Sequence, residues 1–496
     1  MYSTLYFNVI PMDDNCLKGE GIMRKRLLSM LLCGALVSTS LMGCGSKAGT
    51  TDQTPAADTK TEAGATEAPA AQAADPAGGG TTGTNTFVDG GTEMALWTFQ
   101  ELHVNFYTEM ADKWNESHPD KPINLTVTTG ESSAVHTKLL VALQSGTGAP
   151  DIADIEIGRY ATFLKDNYLL PINDVVEPYK DDIVMSRVNM YGDSEGNQYG
   201  IDFHLGASVC YYNMDIMDAA GVDPGTIETW DDYYNAGLTV LEKTGKPMCA
   251  VELSDLFLPQ LLLLEKGVQY VTEDGQPNID TPEHGEAITF IRKMIDAGIC
   301  EVAPGGKFHC EEWYGHLNNA GVASIAMPLW YMGRFTDYCP DLNGKIAIYK
   351  IPVWNKGDTR CVLQGGTGTS VTNQSANQDL AKEFLAYAKL SEEGNRYIWE
   401  KLGFDPIRTS LWDDGELTHD QNNKFIQYFR TNPFDVLNEI RAEYGIDLTA
   451  PNISGAYANV RSILGTTTYT NAFELSLDED VDQLLENEQA SVIYDE

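Results

Sequence analysis

Strand-like and helix-like stretches alternate along residues 94–158, and this alternation restricts the fold more than any other feature of the sequence. After the first apolar run, Phe106, Met110 and Trp114 recur at helical spacing. A second helical pattern ends in Gly146, a residue type that commonly terminates helices. The order strand, helix, strand, helix, strand with short turns predicts a mostly parallel, doubly wound α/β sheet. The predicted strands are MALWTF (94–99), INLTVTT (123–129) and APDIADIEIG (149–158).

Residues 23–50 predict export and a lipid anchor. Basic residues at 24–26 precede an apolar stretch at 27–41, which is shorter than the about 20 residues that cross a bilayer but typical of a secretory signal peptide. The LMGC that ends at Cys44 resembles the bacterial lipobox, in which signal peptidase cuts before a cysteine that carries a lipid such as palmitate. We therefore expect residues 23–43 to be removed and Cys44 to be lipidated. The alternative is an ordinary signal peptide that happens to contain a cysteine.

Two more N-terminal segments are predicted to carry no fold. Residues 1–22 have no targeting pattern, and KGEG just before Met23 is what a ribosome-binding site yields when translated, so we interpret residues 1–22 as a mis-called leader. Residues 44–91 are rich in Gly, Ala and Thr and almost free of aromatic side chains. Such a composition cannot bury enough surface to offset the entropy of ordering, so a disordered linker is expected.

The composition of the whole chain excludes one class of partner. The 496 residues are 43% hydrophobic and 10% aromatic, which supports a large core and, by length, two lobes. The formal net charge is -39 and no basic stripe is visible, so nucleic acid is not an expected partner. The acidity otherwise indicates solubility and little else.

Cysteine usage leaves the redox state open. The cysteines beyond residue 92 show no CxxC or zinc spacing, and several lie in apolar, strand-like runs where cysteine behaves as a small buried hydrophobe. We expect mostly reduced thiols, although an exported protein can pair them. These cysteines are Cys210, Cys249, Cys300, Cys310, Cys339 and Cys361.

Several stretches, taken in order, resemble the extracellular sugar-binding proteins of ATP-driven (ABC) importers, solute-binding family 1, the group that includes maltose-binding protein. They cover nearly all of the chain from about residue 92, and their order is more specific than any one of them. The stretches are GTGAPDIADIEIG with FLKDNYLLPIND (146–174), YGIDFHLGASVCYYNMDIMDAAGVD (199–223), IETWDDYYNAGLTVLEKTGKP (227–247), GVASIAMPLWYMGRF (321–335) and the segment from GGTGTSVT to RYI (365–398).

The resemblance implies an α/β, two-lobe periplasmic-binding-protein-like fold (type II). Each lobe would be a doubly wound sheet flanked by helices, and a multi-crossover hinge would join the lobes. The N-lobe is expected at 92–201 and 366–405, and the C-lobe at 204–364 and 407–496. A monomer is expected, in which ligand contacts both lobes only in the closed state and so shifts the population toward closure.

Ligands of such sheets collect at the carboxyl ends of strands and at the crossovers. Aromatic side chains suit the apolar faces of a sugar ring, and polar side chains suit its hydroxyl rim. Trp330, in the turn-like PLWYMG, is the main stacking candidate. Trp230 is more typical of helix packing, while the histidines and carboxylates equally fit structural roles at strand ends. The predicted ligand-binding residues are Phe99, Glu101, His103, Glu156, Arg159, Asp202, His204, Trp230, Asp255, Trp313, Trp330, Gly366, Thr367 and Tyr457.

Enzymatic sites have weaker support in the sequence. His309 and His316 in FHCEEWYGH are seven residues apart, whereas helical zinc hydrolases use two histidines four apart. The GGTG stretch lacks the Lys-Ser/Thr of a phosphate loop. No metal or cofactor is predicted. Carboxylates abound, so a secreted carbohydrate-active enzyme remains the less favoured alternative, although no acid-and-nucleophile motif stands out.

The sugar itself is predicted by a narrower resemblance. Residues 97–121 and 139–164 look most like the arabinose- and arabino-oligosaccharide-binding lipoproteins of Gram-positive bacteria. That likeness implies a pentose-containing oligosaccharide, the membrane permease subunits of an ABC importer as partners, and a lipid-anchored location at the extracellular face of the cell membrane. A malto-, xylo- or galacto-type oligosaccharide remains an alternative. A binding module coupled to adhesion or sensing without a transporter is another.

Overall fold

The structure, a computed structural model, describes residues 80–492. The predicted leader, the signal peptide, Cys44 and most of the predicted linker lie outside these residues. Within the described residues, no helix is long and apolar enough to cross a membrane. In chain order the strands are β1 (Thr82–Thr84), β2 (Thr92–Thr98), β3 (Ile123–Thr129), β4 (Ile152–Glu156), β5 (Ser208–Asn213), β6 (Cys249–Val251), β7 (Cys300–Val302), β8 (Ser324–Pro328), β9 (Ile346–Lys350) and β10 (Thr367–Val371).

Helices separate most of these strands. A 3₁₀ segment at Ile157–Phe163 follows β4 directly. The α-helices are α1 (Glu101–Ser117), α2 (Ser132–Ser145), α3 (Asn173–Val176), α4 (Met185–Asn189), α5 (Met214–Ala220), α6 (Trp230–Thr244), α7 (Phe257–Leu264), α8 (Pro282–Asp296), α9 (Glu311–Asn318), α10 (Met332–Tyr338), α11 (Gln378–Leu390), α12 (Glu392–Tyr397), α13 (Gly415–Thr418), α14 (Lys424–Tyr428), α15 (Pro433–Tyr444), α16 (Tyr457–Ile463) and α17 (Val481–Ser491).

The first lobe is built on a sheet with strand order β1-β3-β2-β4-β10. β2 runs parallel to β3 and β4, as the alternating pattern of residues 94–158 predicts, and this part of the prediction is confirmed. β10 returns from the other lobe and lies antiparallel to β4, with Thr367 opposite Glu156. Leu96 and Leu125 are buried beneath α1, which contributes Phe106 and Trp114 to the same apolar cluster.

The predicted linker at 44–91 includes the first strand of this sheet. β1 pairs antiparallel with β3, from Thr82 opposite Thr128 to Thr84 opposite Thr126. The Asn85 side chain then accepts a 2.7 Å hydrogen bond from the Leu125 N–H. Backbone pairing of this kind needs no apolar side chains, so composition does not reveal it. Ordered structure therefore begins before residue 92.

The second lobe contains a sheet of order β8-β5-β9 beside the parallel pair β6-β7. β5 follows the first crossover and is antiparallel to both of its neighbours. A 2.7 Å bond from the Ser324 N–H to the Met248 carbonyl joins the two sheets. Helix α6 begins with a capping box between Thr229 and Asp232, which satisfies backbone N–H groups at the helix start.

Three chain segments cross between the lobes side by side. Ile201 bridges to Thr369 at the first-lobe end, and Ala207 bridges to Leu363 at the second-lobe end. The third segment carries Asp405, whose carboxylate accepts a 2.9 Å hydrogen bond from the Ala207 N–H. Burial raises the pKa of Asp405 to about 7. The lobe boundaries expected at residues 201–204, 364–366 and 405–407 fall within these three segments.

Candidate functional site

A cavity of about 1520 Å³ lies between the lobes. The first lobe contributes the end of β2, the start of α2 and the 3₁₀ segment after β4. The second lobe contributes the starts of α7 and α9, the turn before α10 and one face of α16. Phe203 and Gly365 from the crossovers also line the cavity, so the same segments that join the lobes form part of its wall.

Most of the predicted ligand-binding residues line this cavity. They come from the ends of β2 and β4, from the crossovers and from the second lobe, which is where parallel α/β sheets place their ligands. The residues that line it are Phe99, Glu101, His103, Glu156, Arg159, His204, Asp255, Trp330, Gly366, Thr367 and Tyr457.

The other predicted residues, Asp202, Trp230 and Trp313, do not line the cavity and correct the prediction at these positions. Trp230 is 1% exposed and donates a 2.7 Å hydrogen bond from Nε1 to the Glu265 carboxylate. Trp313 is fully buried and donates from Nε1 to the Tyr331 hydroxyl at 3.0 Å. Both indoles pack in the second-lobe core, because helical spacing directs them inward.

Asp202 is buried in the hinge. Its Oδ2 lies 2.7 Å from Arg187 Nη2, and the Tyr191 hydroxyl donates to the same oxygen. Burial raises the pKa of the carboxyl, but its partners, with Arg187 the largest contributor among them, together outweigh burial, and the pKa lies below its ordinary value. Arg187 also donates to the carbonyls of His204 and Gly365. Asp202 is therefore a hinge residue that fixes two crossovers through Arg187.

Aromatic rings form one wall of the cavity around Trp330. Its ring centroid lies 5.5 Å from that of Phe257, 5.9 Å from that of His204 and 5.8 Å from that of His309. The indole Nε1 donates to the Gln364 carbonyl at 3.3 Å, which ties the ring to a crossover. Trp330 is half-buried and faces the cavity, so part of its apolar surface is available to a ligand.

His204 and His309 are neutral, because burial lowers the pKa of each to about 3. A neutral imidazole carries one donor and one acceptor, and a hydroxyl group has the same pair of capacities. The two histidines therefore offer hydrogen bonds to hydroxyl groups without adding charge to the cavity.

His103 lines the cavity but is held mainly by its own lobe. Its Nδ1 lies 2.8 Å from Asp154 Oδ2, and the Tyr107 hydroxyl donates to the other oxygen of this carboxylate at 2.7 Å. Burial of the ring lowers the pKa of His103. Lys389 lies behind this group, 3.3 Å from the Phe203 ring centroid, and burial lowers its pKa to about 7. This buried polar network supports the cavity floor.

Polar residues of the first lobe form the opposite wall. The Glu156 N–H donates to His136 Nε2 at 2.9 Å, and Phe99 lies 5.0 Å from the same imidazole. Arg159 donates to the Ser133 hydroxyl at 2.9 Å. The wall thus combines carboxylates, a guanidinium and an aromatic ring, the groups that contact the rim and faces of a sugar.

Most of the residues that line the cavity were not predicted from the sequence, and Arg461 is the clearest of these. Arg461 follows Tyr457 by one helical turn on α16, so helical spacing from the predicted Tyr457 places both on one face. Phe257, Gln260 and His309 carry no comparable sequence signal, because they reach the cavity only through the packing of α7 and α9.

Within residues 80–492, no group of three or more His, Cys, Asp and Glu side chains is arranged to hold a metal ion. His316 instead lies 2.6 Å from Glu301. In the same part of the chain the cysteines at 210, 249, 300, 310, 339 and 361 are all unpaired, in agreement with the expected reduced thiols.

Comparison with known proteins places these features in a family. Residues 101–395 match the family described as bacterial extracellular solute-binding protein. Two arabinooligosaccharide-binding proteins are similar to the chain: the protein from Halalkalibacterium halodurans is 45% identical over 77% of this chain and 85% of its own length, and that from Bacillus subtilis is 43% identical over 71% and 82%. A lactose-binding protein from Rhizobium radiobacter is 28% identical over 60% of this chain and 71% of its own.

Solved structures share the fold at low sequence identity. The cyclic alpha-maltosyl-1,6-maltose binding protein from Arthrobacter globiformis has a TM-score of 0.63 at 20% identity, over 81% of this chain and 98% of that one. An ABC transporter associated binding protein from B. animalis subsp. lactis, in complex with beta-1,6-galactobiose, has a TM-score of 0.64 at 20% identity over 81% and 97%. With this two-lobe α/β architecture and the match over residues 101–395, the chain belongs to the bacterial extracellular solute-binding protein family.

Proposed function

We propose that this protein captures a sugar by lobe closure outside the cell and delivers it to the membrane permease subunits of an ABC importer. An arabino-oligosaccharide is the proposed ligand. The observation that carries the proposal is the composition of the cavity: Trp330 on the second-lobe wall opposes carboxylates and Arg159 on the first-lobe wall. A sugar that touches both walls stabilises the closed state, because it makes both sets of contacts only there.

The size of the cavity favours an oligosaccharide over a single sugar. Its volume of about 1520 Å³ exceeds the about 300–1,000 Å³ of ordinary small-molecule sites. The names of the relatives from Halalkalibacterium halodurans and Bacillus subtilis support arabinose as the repeating unit. The neutral state of His204 and His309 also suits an uncharged ligand such as a sugar, since charged imidazoles would incur a desolvation cost against it.

A calorimetric and thermal-shift series tests the proposal. The protein is titrated with arabinotriose, maltotriose, xylotriose and a galacto-oligosaccharide. Arabinotriose at 100 times its dissociation constant is expected to add about 2.7 kcal/mol to the free energy of unfolding. A shift with another trisaccharide but not with arabinotriose would reassign the sugar. Release of arabinose from arabinotriose would instead favour the carbohydrate-active enzyme.

The proposed location is the extracellular face of the cell membrane, with a lipid on Cys44 and a monomeric ligand-binding domain. A second signal beyond a single acyl chain is needed for stable anchoring, and a diacylated cysteine supplies it. The matched test is Cys44→Ala expressed in a Gram-positive host. The wild-type protein is expected in the membrane fraction in its processed form, and the variant in the medium or as unprocessed precursor. Equal membrane recovery of both proteins in processed form would contradict lipidation.

A further inference from the structure

An ion pair connects the two lobes at the cavity wall. Arg461 Nη1 lies 3.2 Å from Glu156 Oε1, although the two residues are 305 positions apart in the chain. Glu156 is the last residue of β4 in the first lobe. Arg461 lies on α16, which is fixed to the second lobe by a 2.9 Å hydrogen bond from Gln260 to Tyr457. The pair therefore exists only when the lobes are close together.

The backbone of the first lobe leaves room for this contact at one residue. A Cβ at Gly158 would lie 2.8 Å from Arg461 Nη1, closer than real contacts of this kind. The Arg461 guanidinium therefore lies against the backbone of Gly158, which has no side chain. The neighbouring residues, Ile157 of the first lobe and Val460 of α16, are buried in one apolar cluster. The 3₁₀ segment after β4 and α16 therefore share an apolar contact beside the ion pair.

Partial burial makes the ion pair stronger than a solvated surface pair. The Arg461 and Glu156 side chains are 17% and 29% exposed, which limits screening by water and salt. Burial lowers the pKa of Arg461, but the surrounding groups, with Glu156 the largest contributor among them, together outweigh burial, and the pKa lies above its ordinary value. Arg461 also approaches the Asp255 carbonyl at 3.4 Å, so the second lobe directs the guanidinium toward Glu156.

We propose that the Arg461–Glu156 pair is an interlobe latch that sets the balance between open and closed states. Arg461 acts here as a positioning residue for closure. A pair that stabilises the closed state raises the closed fraction of ligand-free protein, and apparent affinity rises in proportion to that fraction. The latch rests on the proposed function only for the identity of the ligand, since closure of the ligand-free protein is measured without any sugar.

Small-angle X-ray scattering of the ligand-free protein tests the latch first. Arg461→Met is expected to increase the radius of gyration relative to wild type, because the closed population falls. Arg441→Met is the matched control: it removes an ion pair with Asp413, and Arg441 does not line the cavity. Its radius is expected to equal that of wild type. An unchanged radius in Arg461→Met overturns the proposal.

A double-mutant cycle separates a latch from two independent sugar contacts. Arabinotriose affinity is measured by calorimetry for wild type, Glu156→Gln, Arg461→Met and the double variant. Each single variant is expected to lose about tenfold in affinity, and the double variant no more than either, because both remove one interaction. Losses that multiply in the double variant would show that each side chain acts alone and would overturn the latch.

Gly158→Ala provides a third variant that changes no charge. Its Cβ is expected to displace Arg461 from Glu156 and to increase the ligand-free radius as Arg461→Met does. A wild-type radius in this variant, together with a wild-type radius in Arg461→Met, contradicts the latch. If wild type binds no arabinotriose, the proposed sugar is wrong, whereas the scattering comparison still decides whether the latch exists.

Discussion

Individual side chains at the cavity divide into those that face it and those that support it. Trp330 is half-buried, with its indole Nε1 tied to a crossover and its ring open to the cavity. Asp202 lies at a crossover, where the sequence predicts a ligand-binding carboxylate, yet it is fully buried against Arg187. Whether a side chain faces the cavity or supports it depends on the partner within hydrogen-bond distance. That partner comes from another part of the chain.

Replacing Trp330 tests the aromatic wall. Trp330→Ala is expected to lower arabinotriose affinity by about 10–100-fold, since stacked aromatic side chains are among the strongest contributors to binding. Trp330→Phe keeps a ring and is expected to lose less. Trp354→Phe is the control, because Trp354 is a half-buried tryptophan outside the cavity. Calorimetric affinity of the Trp330→Ala variant equal to wild type would place the ligand elsewhere.

Removing the charge of Asp202 tests the hinge. Asp202→Asn is expected to lower the free energy of unfolding at pH 7 by about 3–5 kcal/mol, because Arg187 is left as a buried charge without its counter-ion. The folded pKa of Asp202 is lowered, so its contribution is complete above about pH 4 and is lost as pH falls toward the folded pKa. Urea unfolding from pH 7 to pH 3 measures the difference in the free energy of unfolding between variant and wild type. This difference should become smaller below pH 4; a difference that does not change with pH would contradict this role of the carboxylate.

At the scale of single elements, local sequence and structure agree most closely. α2 ends at Gly146 in the left-handed conformation, with φ +74°, as the glycine at the end of its helical pattern predicts. α6 begins at a Thr-Asp capping box. By contrast, β1 lies in a segment whose composition predicts disorder, because its stability comes from pairing with β3 rather than from its own side chains.

Two glycine substitutions test the effect of backbone conformation at positions where a new side chain meets no neighbour. A Cβ has open space at both Gly146 and Gly315, but only Gly146 has a positive φ. Gly146→Ala is expected to lower the free energy of unfolding by about 1 kcal/mol. Gly315→Ala, inside α9, is expected to raise it by about 0.5–1 kcal/mol, because alanine favours the helix. Thermal unfolding measures both, and shifts of the same sign would contradict the expected contrast.

For the whole molecule, the start of the folded part is a testable boundary. A chain that starts at residue 80 keeps β1, and all residues that line the cavity lie within 99–462. It is expected to bind arabinotriose like the full chain. A chain that starts at residue 92 loses β1 and leaves the edge of β3 unpaired, so lower stability and more aggregation are expected. Light scattering measures the aggregation of the two chains, and thermal unfolding measures their stability. Equal aggregation and equal stability would support the original prediction that the linker ends at residue 91.

The sequence alone determined strands β2, β3 and β4 of the first lobe with the helices between them, the family, and part of the set of residues that line the cavity. Those features depend on periodicity, capping residues and strand ends, which are local along the chain. Only the tertiary structure decided that Asp202 pairs with Arg187, that Trp230 and Trp313 are core residues, and that Arg461 meets Glu156. These contacts join distant parts of the chain, and no local pattern specifies which buried group a side chain will meet once the lobes pack.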